Sequence, residues 1–329
     1  MIRQLWDKEE EAKFFRTYLK RVEPEKLFYY LKEEELYYAY YPKSYKGKKT
    51  TLQSRNTLIG EYTEEFVQKL LNNIVEDSSK EPQFKKLFKG SNLRVIKHLV
   101  CEELGLGSDS PVDIAIIRSD SDKIDKSKVN PEDILLIVEV KMSIVWNWSY
   151  SSKTNELECK GDFTEHQGNP SLLRSDSMLK AIGKSLGIRL KAAEKFPIPV
   201  IVLGNTPITE HYAEMVDKLK EKGIIQGFYS LNPSLVKDIQ SSNDVAHSKG
   251  RKEGYIIKTK HEAFLTVESY DDFKNRILTL IKDFVENKSV FFSCLIDKAV
   301  LGKIIEKASK EENYEKMAEV FIELLQDGE

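Results

Sequence analysis

Cysteine is scarce in this chain of 329 residues: Cys101, Cys159 and Cys294 stand alone, with neither a CxxC pair nor a Cys/His spacing. That excludes a disulfide framework and gives no zinc site. No uninterrupted apolar run approaches the roughly 18 residues of a membrane span. The opening MIRQLWDKEEEAKFF puts acids where a signal peptide needs an apolar core. The expected location is therefore cytoplasmic, with no membrane partner. Charge of one sign is also lacking. A formal net charge of −2 carries no global nucleic-acid signal, so any such claim must rest on local patches. GxSxG, P-loop, dinucleotide-binding and HExxH motifs are all missing, which leaves serine hydrolase, NTPase, dehydrogenase and zincin readings unsupported. There is no internal repeat.

What is present is a globular composition, 40% hydrophobic and 32% charged, long enough for one large core or two modest ones. Residues 5–40 read as helical, first around Phe14, Phe15 and Tyr18, then around Leu27, Phe28 and Leu31. A basic loop with turn chemistry at Pro42 and Gly47 follows. Helical periodicity returns in GEYTEEFVQKLLNNIV, whose Phe66, Val67, Leu70, Leu71 and Ile74 share a face. Strands are expected at 94–100, 112–118 and from Ile134, then a long polar stretch, a helix from about Ser177, and a strand at 198–204. A further helix closes at Gly223 before another strand. The predicted fold class is α/β, an αβββαβ mixed sheet flanked by helices. Soft boundaries give an N-terminal helical region (1–55), a core (56–231) and a mainly helical C-terminal region (232–329).

The stretch ILLIVEVKMSIVW, from Ile134, starts as a buried strand and is then interrupted by two charges. Residues two apart on a strand face the same side, so Glu139 and Lys141 sit together. Asp113 follows Pro111 at the start of the preceding strand, and an antiparallel hairpin would carry it beside Glu139. Two adjacent carboxylates are costly without a cation. A hard divalent ion such as Mg²⁺ resolves that cost, activates water and stabilises the charge that builds up in phosphodiester hydrolysis. A neighbouring lysine can orient the water. An edge-strand ion pair with Asp113 as a cap is the plainer alternative.

The spacing of PVD (Pro111 to Asp113) and EVK (Glu139 to Lys141), within an αβββαβ order, resembles the PD-(D/E)xK nuclease superfamily, most closely a type II restriction endonuclease. The aspartate comes one residue later than in the family pattern. The resemblance spans about residues 58–230. It implies a Mg²⁺-dependent DNA endonuclease, with Mn²⁺ able to substitute. Asp113, Glu139 and the Val140 carbonyl would hold the metal, and Lys141 would position the attacking water. It also implies that GEYTEEFVQKLL is the acid-bearing helix, with Glu64 supporting the site and Glu61 competing for that role. Double-stranded DNA as substrate and a homodimer that cuts both strands belong to the same expectation. Two alternatives stay open: a structure-specific repair or recombination nuclease, and a non-catalytic DNA-binding protein.

Candidate DNA contacts lie in three basic segments. These are Lys43, Lys46, Lys48 and Lys49; the run from Arg174 through Lys180 and Lys184 to Lys195; and the segment around Arg251. In the polar stretch after the EVK strand, Trp146, Asn147, Trp148, His166, Gln167 and Asn169 are types that stack on or hydrogen-bond to bases. Gln167, Asn169 and Arg174 are the residues expected to face DNA.

Overall fold

Ile134–Val140 forms a seven-residue strand buried at every position but its last, as its unbroken apolar run requires. The computed structural model describes residues 3–88, 91–119, 125–126, 129–192, 197–235, 254–286 and 298–327. In chain order the elements are α1 (Lys8–Tyr18), β1 (Tyr29–Leu31), β2 (Leu36–Tyr38), α2 (Gln53–Ser79), α3 (Pro82–Leu87), β3 (Leu93–Leu99), β4 (Val112–Arg118) and β5 (Ile134–Val140). They continue with β6 (Asn147–Ser151), β7 (Glu156–Gly161), α4 (Ser175–Ala192), β8 (Val200–Gly204), β9 (Ile208–Thr209), α5 (Glu210–Glu221), β10 (Gly227–Ser230), β11 (Tyr255–Ile256) and β12 (Phe264–Thr266). The helices α6 (Tyr270–Glu286), α7 (Lys298–Ala308) and α8 (Tyr314–Asp327) close the described chain.

The fold is α/β around a mixed six-stranded sheet of order β12-β10-β8-β5-β4-β3. β3, β4 and β5 run antiparallel, whereas β5, β8, β10 and β12 pair parallel. The two-residue period of a strand divides the core. Leu203, Tyr229 and Leu265 lie side by side in register and join one apolar cluster with Phe66 of α2 and Phe273 of α6. Their neighbours Val202, Phe228 and Phe264 join another with Ile182 of α4, Val216 of α5 and Phe321 of α8. The parallel strands thus need helices on both faces, and get them.

A second, four-stranded antiparallel sheet of order β1-β2-β6-β7 packs against α1, with Phe15 set 6.1 Å from Trp148 of β6 and stacked at 4.7 Å on Phe28, just before β1. This corrects two expectations. The helix read through Leu27–Leu31 is a hairpin, because Tyr29, Leu31, Leu36 and Tyr38 gain more from pairing with each other and with β6 than from a helical face. The first part of the polar stretch after Trp146 is the β6–β7 hairpin; β7 (ELECKG) alternates exposed and half-buried positions and has almost no apolar residue to reveal it. The C-terminal region is also less separate than expected, since β12 pairs with β10 as a strand of the main sheet.

Candidate active site

The carboxylates sit where β4 and β5 adjoin. Ile114 pairs with Val138, so one further step of the register sets Asp113 opposite Glu139. The Val140 N–H donates to Asp113 Oδ2 at 2.7 Å. Lys141 Nζ bridges the acids, 3.0 Å from Glu139 Oε2 and 3.4 Å from Asp113 Oδ2. β5 lies between β4 and β8 inside the sheet, so this is no edge-strand ion pair. Glu139 is 1% exposed.

A fourth charge completes the group. Glu139 is in register with Val202, which belongs to the cluster on the α4 face. From α4, Lys184 reaches down to place Nζ 2.6 Å from Glu139 Oε1 and 3.8 Å from Asp113 Oδ1, while donating to the Pro111 carbonyl at 2.5 Å. The sequence marked Lys184 as a DNA contact. It is instead buried, 7% exposed, because two carboxylates beneath the helix need a second counter-charge.

Burial pushes the Asp113 carboxyl up, but the Lys141 and Lys184 charges and the Val140 N–H together outweigh it and hold the group below the usual carboxylate range. For Glu139 burial and the neighbouring Asp113 charge win, and its pKa is raised. Burial also lowers Lys141, but the two carboxylates reverse this and keep it firmly charged.

Asp113 and Glu139 offer hard oxygen donors, and among the described residues no third His, Cys, Asp or Glu joins them as a metal-binding group. The buried Glu139 Oε1 has the Lys184 ammonium 2.6 Å away as its partner. Two carboxylates fit an ion that keeps most of its coordination as water, as Mg²⁺ does; they do not fit one caged by protein.

Glu64 lies elsewhere. α2 packs on the sheet face opposite α4, and Glu64 is engaged by His98 Nε2 at 2.8 Å. His98 itself has a left-handed φ of 56° between the pairs Lys97–Ile114 and Leu99–Val112. Glu61, one turn earlier, is exposed.

Lys141 also lines a cleft of about 510 Å³ beside the N-terminal turns of α2 and α4. Among the described residues Lys49, Arg55, Lys141 and Arg174 are the charged groups that line it, and two of them are already engaged by acids, Lys141 by Asp113 and Glu139 and Arg174 by Asp176. Its floor is rigid: the Ser143 N–H donates to Asn205 Oδ1 at 3.1 Å, and Asn205 Nδ2 returns to the Ser143 carbonyl at 2.7 Å. Gly204, at the end of β8, is needed there because a Cβ would collide with Leu172.

The other expected DNA contacts divide. Lys43, Lys46, Lys48, Lys49, Asn169, Arg174 and Lys180 are exposed. Arg174 pairs with Asp176, and Lys180 pairs with Glu315 at 3.1 Å. Gln167 lines the cleft, but its side-chain N–H donors serve the carbonyls of Pro42, Lys43 and Tyr45 and so brace the basic loop. Arg251 lies outside the described residues.

The aromatic and polar residues after β5 are structural. Trp146 is buried in the core. The Trp148 indole donates to Glu11 at 2.9 Å, and Asn147 Oδ1 accepts from the Tyr40 N–H. His166 is buried and stacked on Tyr40 at 3.9 Å. Its Nδ1 accepts from the Gly168 N–H, so Nε2 is left to donate to the Val145 carbonyl.

Sequence reasoning missed the buried part of Lys184 and all of Glu11. The i,i+4 spacing of Lys180 and Lys184 marked a helix face without telling which lysine points inward. Compared with protein families, curated proteins and solved structures, the chain matches none.

Proposed function

We propose that this chain is a Mg²⁺-dependent DNA endonuclease of the PD-(D/E)xK type, most like a type II restriction enzyme. One observation carries the reading: Asp113, Glu139 and Lys141 meet on adjacent inner strands, with Lys141 lining a cleft beside Lys49, Arg55 and Arg174. With α3 and the β6–β7 hairpin as insertions, the order α2–β3–β4–β5–α4–β8 supports the αβββαβ reading.

Asp113 and Glu139, with the Val140 carbonyl, would hold Mg²⁺, and Mn²⁺ would substitute for it. The bound ion would supply an activated water and neutralise charge on the phosphate. Lys141, kept charged by the carboxylates, orients that water and stabilises the developing negative charge. Lys49 and Arg174 hold the DNA backbone along the cleft. Glu64 is not assigned a ligand's role, since it is engaged with His98 across the sheet. A homodimer would provide the second site that a double-strand cut requires.

The test is digestion of long phage DNA with Mg²⁺, against EDTA and against Lys141→Ala. The expected outcome is discrete fragments that vanish in both controls. A metal-dependent smear would point to a nuclease reading DNA structure rather than sequence. Intact DNA with either metal, and with branched substrates too, would overturn the proposal.

A further inference from the structure

We propose that Lys184 is the resident cation of the acid pair, and that a divalent ion enters by displacing its ammonium. This rests on the metal-dependent reading above. The two lysines divide the carboxylate oxygens between them. Lys141 takes Asp113 Oδ2 and Glu139 Oε2, and Lys184 faces Asp113 Oδ1 and Glu139 Oε1. Asp113 is the better bonded on the Lys141 side, where its Oδ2 also accepts from the Val140 N–H. On the other side, Lys184 lies 2.6 Å from Glu139 Oε1 but 3.8 Å from Asp113 Oδ1, so it holds one acid closely and the other only loosely. Lys184 Nζ thus stands between one oxygen of each acid, Asp113 Oδ1 and Glu139 Oε1.

Charge gives the reason for displacement. Two carboxylates and two ammonium groups sum to zero. A divalent ion added to all four would leave two uncompensated positive charges in a buried site. One ammonium has to leave. Lys141 lines the cleft where substrate would lie, whereas Lys184 comes from beneath, out of α4, and on displacement its ammonium leaves the acids and the Pro111 carbonyl together. Lys184 is therefore a positioning residue: it holds the acids together and sets how tightly an ion competes for them.

The experiment measures Mn²⁺ binding to the full chain without DNA, following free Mn²⁺ by electron paramagnetic resonance. Lys184→Met is expected to bind Mn²⁺ at least tenfold more tightly than the wild type. Lys184→Arg, which keeps the charge, should bind no more tightly than the wild type. Adding Glu139→Gln to Lys184→Met should remove the gain. Lysine acetylation read by mass spectrometry provides a second measure on the unaltered protein: Lys184 should be protected without Mn²⁺ and reactive at saturating Mn²⁺. That measure decides the matter if Lys184→Met does not fold. Equal Mn²⁺ affinity in wild type and a folded Lys184→Met, or unchanged protection of Lys184 at saturation, would overturn the proposal while leaving the nuclease reading intact. Absence of Mn²⁺ binding in both folded proteins would overturn the two together.

Discussion

Glu11 offers a sharp test of how burial and hydrogen bonding compete in this fold. It projects from α1 into the core and accepts from the Val145 N–H at 2.8 Å, the Trp146 N–H at 2.9 Å and the Trp148 indole at 2.9 Å. It thereby ties the N-terminal helix to the segment that leaves β5 just after Lys141. Burial raises its pKa from 4.5 to about 8 in spite of the three N–H donors, which pull the other way. Since the folded value lies above the unfolded one, the stabilisation is complete below about pH 4.5 and lost as pH rises through about 8. That gap of about 3.5 pH units, at about 1.4 kcal/mol each, amounts to about 5 kcal/mol. Glu11→Gln cannot titrate. Urea unfolding of both proteins at pH 5, 6, 7 and 8, followed by far-UV circular dichroism, should show the wild type losing stability relative to Glu11→Gln by several kcal/mol over the range. A wild-type minus variant difference that stays flat from pH 5 to pH 8 would refute the reasoning. It would mean that the three donors keep Glu11 ionised throughout.

Two further predictions concern the cleft. Replacing Lys49 and Arg174 together with Ala should weaken DNA binding regardless of sequence, and should reduce the slope of log affinity against log salt by about 2, near one per lost phosphate contact. Fluorescence anisotropy across a salt series reads this, and an unchanged slope would remove both residues from the phosphate path. Gln167→Ala withdraws the donors that brace Pro42, Lys43 and Tyr45. It should cost about 1–2 kcal/mol of stability and speed tryptic cleavage between Lys43 and Lys49. Cleavage at the wild-type rate would show that the loop holds itself.

By itself the sequence determined much of the frame, because strands and helices report on near neighbours. The apolar run of β5, the shared side of Glu139 and Lys141, and the helical face of Phe66, Val67, Leu70, Leu71 and Ile74 all follow from periods of 2 and 3.6 residues. The adjacency of Asp113 and Glu139 was legible as well, since an antiparallel hairpin returns the chain to its start. Only the tertiary structure decided the rest. Lys184 reads locally as one more cation on a solvated helix, and its contact with Pro111 spans 73 residues. Glu11 reads as one more acid in KEEE, yet it is the one of those three glutamates that is fully buried. The resemblance brings Glu64 to the same site as Asp113, but in the fold Glu64 is engaged by His98. A buried charge needs a partner, and which partner arrives is set by how distant elements pack.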